Sequence, residues 1–209
     1  MGLIQLLIKD PAAFVILSVL LLYSVIFHEL AHGWVANKMG DPTAKWLGRL
    51  TLNPLKHLDP IGTLMLLVVG FGWAKPVPVN LENIPGNQRR KGLILVSAAG
   101  ITANIIFAFI AILLFRLISP DHSGMAGQIL FLLAHINIIL AAFNLIPIPP
   151  LDGSKILMGF APDSVTRVLN QIEPFGLFIV IGLLISGLLN PVINLLQHII
   201  LTVISVFLP

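Results

Sequence analysis

The chain of 209 residues is 57% hydrophobic and 10% charged, with a mean hydropathy of +0.99, more apolar than a soluble domain of this length requires, which identifies a polytopic membrane protein. A net charge of +3 and a pI near 9.5 do not point to nucleic acid, because the twelve Lys and Arg gather between apolar segments as juxtamembrane charges do; no nucleic-acid partner is expected. Without cysteine there is neither a disulfide framework nor a thiolate ligand, so any metal must be held by His, Asp or Glu.

The N-terminal MGLIQLLIKD lacks a charged start followed by a small-residue cleavage site, so the first long helix is expected to be retained. That helix covers residues 11–36. Ala12 to Phe27 carries no charge and only Ser18, Tyr23 and Ser24 as polar side chains, and with the motif that follows it can cross ~30 Å of hydrocarbon. It runs into HELAH, His28 to His32. Ionisable residues at such depth cost roughly 2.5 to 3.5 kcal/mol each on insertion scales, so they mark a functional site or a paired, buried cluster. Gly40, Asp41 and Pro42 end the helix, and a turn-rich stretch follows to Pro60. Residues 61–72, IGTLMLLVVGFG, are apolar but too few to span. Together with the alternating PVPVN at 76–80 they predict a hairpin dipping into the protein.

Arg89, Arg90 and Lys91 precede a second long helix over 92–118, and a loop at 120–124 leads to a third over 125–146. The third helix stops at IPIPPLDG, where Pro147, Pro149 and Pro150 forbid regular backbone pairing and predict a polar pocket opening to the cytoplasm. Apolar stretches at 174–189 and 191–208 predict a closing helical hairpin. The expected fold is an all-α polytopic membrane protein with five transmembrane helices, or six, and a short cytoplasmic re-entrant β-hairpin. Residues 1–160 form its core and 161–209 its C-terminal hairpin. On five crossings, ten Lys and Arg fall on one side and only Lys9 and Arg116 on the other, which places the loop after HELAH in the cytoplasm, the N-terminus outside and the C-terminus inside. HELAH and PPLDG then lie at cytoplasmic helix ends, at one depth.

Positions i and i+4 share a helix face about 6 Å apart, so His28 and His32 can both offer an imidazole nitrogen to one zinc ion, with Glu29 one step round. A catalytic zinc needs a third protein ligand and an open water position. Asp152 is the candidate, being the only acid in or beside the second and third helices other than Asp121. Glu29 would take a proton from the water and pass it to the leaving amine, which serves peptide hydrolysis. A membrane zinc carrier, or an inactive scaffold that keeps the metal, is the alternative. Among the remaining polar residues, His135 points away from the site as a packing residue, and Asn137 either lines the cavity or bonds between helices. Ser97, Gly100 and Asn104 form a stripe for close helix approach or for support of the ligands. His57 and Asp59 suit turn chemistry, Asp121 and His122 an exposed loop, and His198 an interfacial position.

HELAHG, SAAGITAN from Ser97 to Asn104 and NLIPIPPLDG from Asn144 to Gly153 together resemble the site-2 protease family of intramembrane zinc metalloproteases, over about residues 15–160. The resemblance implies one zinc per chain on His28, His32 and Asp152, with Glu29 as general base and Asn144 holding the substrate backbone or the oxyanion. It implies a multi-pass protein of the cell membrane, embedded in the lipid bilayer, that cleaves transmembrane protein substrates near the cytoplasmic face. The stretch 64–79 resembles the family's hairpin, where an unfolded substrate strand could pair. Many members have Gly-Pro where this chain has Gly100 and Ile101, which bears on the bend of the second helix. No insertion of PDZ size separates the second and third helices, so substrate selection without such a module is expected.

Overall fold

A computed structural model describes residues 3–70, 72–118 and 124–208. The loop containing Pro120, Asp121 and His122, and Phe71 of the apolar hairpin segment, lie outside the described residues. A short α1 (Leu3–Lys9) leads into α2 (Pro11–Lys38), which starts where the Asp10 carboxylate accepts from the Ala13 N–H at 3.0 Å and Pro11 occupies the first turn. Its 28 residues give about 42 Å of helix, ample for a membrane crossing. After α3 (Thr43–Trp46) come α4 (Pro60–Val69), α5 (Arg89–Ile118) and α6 (Met125–Asn144). The chain then turns into α7 (Asp152–Phe160), α8 (Asp163–Ile172), α9 (Gly176–Ile185) and α10 (Asn190–Val206).

α5 is the central helix, packed between α2 and α6. Its buried Gly100, Ala108 and Ala111, with Ala141 and Ala142 of α6, let the backbones approach closely, as packing in lipid requires in the absence of a hydrophobic drive between helices. One core cluster joins Ile101, Ala108, Ile138 and Ala141 to Ile200 and Ile204 of α10. A second joins Ile146, Leu151, Val180 and Leu189, where α6 gives way to α7 and α9. Arg90 at the start of α5 pairs with Asp163 at the start of α8 at 2.6 Å, outside the apolar layer.

The all-α expectation holds, with differences in count and in the hairpin. Among the described residues, four helices are long and apolar enough to cross a membrane, over Pro11–Lys38, Gly86–Ile118, Met125–Asn144 and Asp163–Ile185. α10 is apolar but has only 17 residues. Five crossings are expected from the sequence only when both 174–189, which is short for a full span, and 191–208 are counted.

Where a β-hairpin was expected, there is a helix and an extended return. Asp59 caps α4 by accepting from the Gly62 N–H at 2.8 Å, Pro60 sets its first turn, and Gly70 closes it at φ 85°. The return touches the outgoing chain through an isolated antiparallel bridge between Leu58 and Ala74 and through the Lys75 N–H donating to the His57 carbonyl at 2.7 Å. Among the described residues no strand forms, because the apolar run lacks alternation and Pro76 and Pro78 cannot donate to a ladder.

The C-terminus is also placed differently from the expectation. α10 runs antiparallel to α6, and Leu201, Ser205 and Leu208 line a cleft with Ile112 and Arg116 at the far end of α5. Leu208 therefore lies beside Arg116, at the end of the bundle that also holds Lys9, because α2 and α5 are antiparallel. No Lys or Arg follows Arg167, so the charge asymmetry is unchanged by this.

The loop that follows α2 is anchored by Asp41, which is fully buried. It accepts from the N–H of Thr43 at 3.1 Å, the N–H of Asn80 at 2.6 Å and the side-chain amide of Asn83 at 2.8 Å, as well as from the Thr43 hydroxyl. Burial alone would raise its pKa, but these donors outweigh burial and hold the carboxyl below its ordinary value. A lowered folded-state pKa stabilises the fold above the unfolded value of about 3.9 and is lost as pH falls through the folded one. Asp41→Ala should cost about 1 to 3 kcal/mol at neutral pH in thermal unfolding, and its gap from wild type should narrow below pH about 3.9.

The chain has no cysteine, so single introduced cysteines report topology cleanly. In sealed vesicles, Leu208→Cys should react with a membrane-impermeant maleimide from the same side as Lys9→Cys and from the opposite side to Lys45→Cys. Labelling of Leu208→Cys from the Lys45 side would contradict the placement of α10.

Candidate metal centre

The antiparallel pairing of α2 and α5 brings Phe27 against Phe107, with ring centroids 4.7 Å apart, and His32 against Val96 one turn deeper into the site. His28 and His32, one helical turn apart, both face inward at 7% and 9% exposure. Their Nε2 atoms are 3.0 Å apart. Asp152 Oδ2 stands 3.1 Å from His28 Nε2 and 3.2 Å from His32 Nε2. Among the described residues, this is the one group of His, Asp and Glu side chains arranged to hold a metal.

Two glycines make the arrangement sterically possible. A Cβ on Gly100 would fall 2.5 Å from His32 Nε2 and 2.6 Å from His28 Nε2, so α5 forms the wall of the site only because that position is bare. Asp152 is the first residue of α7, reached after the prolines stop α6. A Cβ on Gly153 would lie 2.2 Å from the Leu145 carbonyl oxygen, so this glycine lets α7 begin hard against the end of α6 with its carboxylate turned towards α2.

The hydrogen bonds behind the imidazoles decide what the front presents. His32 Nδ1 is 2.7 Å from the Val96 carbonyl, which can only accept, so Nδ1 carries the proton and Nε2 offers a lone pair. His28 Nδ1 stands 2.6 Å from Asn104 Oδ1 with the same consequence. Asp152 Oδ2 is buried with no hydrogen-bond partner besides the facing imidazoles. Three electron-pair donors thus converge in a low-dielectric interior, where they repel unless a cation lies among them. Two imidazole nitrogens and a carboxylate oxygen at these separations suit ligand distances of about 2.0 to 2.2 Å around one zinc ion, and that ligand set leaves a fourth position open.

Glu29, half-buried beside His28, accepts from the Val77 N–H at 2.7 Å, so the extended return after α4 holds its carboxylate in place. Asn144, the last residue of α6, is half-buried, and its amide nitrogen donates back to the Leu140 carbonyl at 3.0 Å. The structure therefore brings His28, His32 and Asp152 together, ties Glu29 nearby, and turns the Asn144 amide onto its own helix. The Val96 carbonyl was missed by sequence reasoning, since a backbone group leaves no trace in residue type. Ser24 was missed too, although it stands one turn before His28 on the same face. His135 is exposed and stacks on Phe131, with centroids 6.3 Å apart, in keeping with a packing role.

A buried His, His and Asp cluster walled by apolar helices defines a membrane protein with an internal metal centre. The model of Peptidase family M50 matches residues 119–187, which include Asp152. The chain is 42% identical over 179 residues to YwhC of Bacillus subtilis, covering 82% of this chain and 81% of that protein. It is 34% identical over 175 residues to Rip2 of Mycolicibacterium smegmatis, covering 81% of this chain and 66% of Rip2. It is 33% identical over 138 residues to MJ0611 of Methanocaldococcus jannaschii, covering 63% of each. All three relatives are named, provisionally, as zinc metalloproteases. No solved structure matches the chain at a significant level. The chain belongs to peptidase family M50, the site-2 protease family.

Gly100→Ala should break the metal centre without touching a ligand. Its methyl group would collide with both imidazoles, so zinc in the purified chain, measured by elemental analysis, should fall well below one per chain. Retention of one zinc per chain would show that α5 does not constrain the site as described.

Proposed function

We propose that this chain is a zinc-dependent endopeptidase that hydrolyses peptide bonds in transmembrane segments of membrane-protein substrates close to the cytoplasmic face. The coarser part of this reading follows from the family and the donor set: it is a multi-pass membrane zinc metalloprotease. The observation that carries the proposal is the convergence of His28 Nε2, His32 Nε2 and Asp152 Oδ2 on one point, with a carboxylate, Glu29, at the adjacent helix position.

His28, His32 and Asp152 would hold the ion, which when bound would supply a water of pKa about 7 and polarisation of a substrate carbonyl. Glu29 accepts the proton of the attacking water and returns it to the departing amine nitrogen, so that one water is consumed and one peptide bond broken. The Val77 N–H orients that carboxylate before substrate arrives. Asn144 would hold the substrate backbone or the oxyanion, for which its amide must leave the Leu140 carbonyl. A transmembrane substrate must also unwind locally, because the peptide groups of an intact helix in lipid are satisfied internally. The cytoplasmic placement rests on the excess of Lys and Arg in the loops around the site, and assignment to the cell membrane rests on the family. Residues 1–160 would carry the catalytic core, with 161–209 as its C-terminal partner.

Glu29→Gln in the purified full chain should retain zinc while losing at least about 100-fold in cleavage of a model transmembrane substrate, the low end for loss of a general base. Cleavage at the wild-type rate would remove Glu29 from the mechanism. Wild-type chain that binds zinc but cleaves nothing across a broad panel of transmembrane substrates would favour a zinc carrier or an inactive scaffold.

A further inference from the structure

Behind His28 lies a chain of buried amides that spans three helices and that the chemistry above does not use. Asn104 of α5 and Asn137 of α6 are both fully buried, and Ser24 of α2 is nearly so. We propose that Asn137, whose hydrogen bonds go to Asn104, Ser24 and Leu133 and not to His28, His32 or Asp152, acts as a positioning residue by fixing, through Asn104, which nitrogen of His28 carries the proton. The inference rests on the metal-centre reading and extends it to residues one and two links removed.

The two ends of a carboxamide are unlike: one accepts and the other donates. An isolated asparagine behind His28 could present either its oxygen or its NH₂ group. The oxygen end places the proton on Nδ1 and frees Nε2 for the metal. The NH₂ end would demand a lone pair at Nδ1 and so move the proton to Nε2, where it blocks the ion. Without Asn137, the Asn104 amide would be oriented only by its long 3.4 Å contact to the Ser24 carbonyl; Asn137 supplies the short contact that settles the choice.

Asn137 Nδ2 donates to the Leu133 carbonyl at 2.9 Å and to Ser24 Oγ at 2.9 Å. The Leu133 carbonyl can only accept, so the NH₂ end of Asn137 is fixed there and its oxygen must face Asn104. Asn104 Nδ2 therefore donates to Asn137 Oδ1 at 2.8 Å, with a longer contact of 3.4 Å to the Ser24 carbonyl. That leaves Asn104 Oδ1 for His28 Nδ1, at 2.6 Å. Every link has one direction, set by a backbone carbonyl on α6 and read out at the metal face of α2. Asn104 and Asn137 are fully buried, out of reach of bulk solvent, which is why a chain of amides can hold a tautomer.

A purely structural role, in which Asn137 only binds the helices together, makes a different prediction from a directional one. Asn137→Leu removes both ends of the amide. Asn137→Asp keeps the direction: in apolar surroundings the acid is neutral, and its carbonyl oxygen can face Asn104 while its hydroxyl donates towards Ser24 or Leu133. Glue alone would show in the thermal stability of the zinc-free variants and leave the zinc affinity of the folded chain unchanged.

Zinc affinity of the full chain in detergent, measured by competition with a chromophoric chelator, tests this. Thermal unfolding of each zinc-free variant is followed alongside. Asn137→Leu should bind zinc about tenfold more weakly than wild type, the lower end for a supporting residue, and Asn137→Asp should stay within about threefold. Equal affinities for wild type and Asn137→Leu, or an Asn137→Asp chain as weak as Asn137→Leu, would overturn the proposal. Should Asn137→Leu fail to fold, Asn104→Asp and Asn104→Ala give the same contrast one link closer: the aspartate should keep the affinity and the alanine lose it, and equal affinities would overturn the proposal. A wild-type chain with no affinity for zinc would instead overturn the metal-centre reading itself.

Discussion

An imidazole can face a metal only with the nitrogen that carries no proton, and in water the two tautomers exchange freely. Inside a membrane bundle the choice has to be made by a fixed partner behind the ring, because an unsatisfied ring N–H is costly there and no solvent can satisfy it. Here α5 supplies both partners, the Val96 carbonyl for His32 and the Asn104 oxygen for His28. Much else in the fold follows from bringing α5 that close. Gly100 must be bare, the neighbouring faces must be small, and α2 and α5 must run antiparallel so that the turns of one match the turns of the other.

The third member of the donor group obeys a different constraint. Asp152 does not come from a long helix but from the first residue of a short one, after prolines have stopped α6 within the bundle. A broken helix at that depth is tolerated because the turns at Ile146, Ile148 and Leu151 bond among themselves and the second core cluster closes over them. The site is thus a joint between a continuous helix that offers two rings and a helix break that offers a carboxylate. The extended return after α4 completes it from the side by holding Glu29. The loop that precedes α4 is kept in register with the segment before α5 by the buried Asp41.

Much of this was legible in the sequence, and the reasons differ by element. His28, His32 and Asp152 could be named because their spacing and rarity in an apolar chain leave few other roles. α2, α5 and α6 were found nearly to their ends, since long uncharged runs bounded by Asp10 and Pro11, or by Gly124, have few alternatives. The hairpin segment was misjudged because twelve apolar residues without alternation carry no period that separates strand from helix, and the caps Asp59 and Gly70 were outweighed by the PVPVN that follows. The direction of α10 was misjudged because no charge after Arg167 marks either end of it. Asn104 and Asn137 were visible as polar residues on inward faces, but not their order. Direction in a chain of amides is a property of the assembled bundle and has no counterpart in spacing.

The central claim is that His28 and His32, held by their Nδ1 protons, and Asp152 together bind one zinc ion. X-ray absorption at the zinc edge of the purified full chain tests it most directly. Two imidazole nitrogens and oxygen ligands at about 2.0 to 2.2 Å are expected, with the imidazole signal halved in His28→Ala and the oxygen contribution reduced in Asp152→Ala. A zinc shell without imidazole, or one unchanged in both variants, would contradict it.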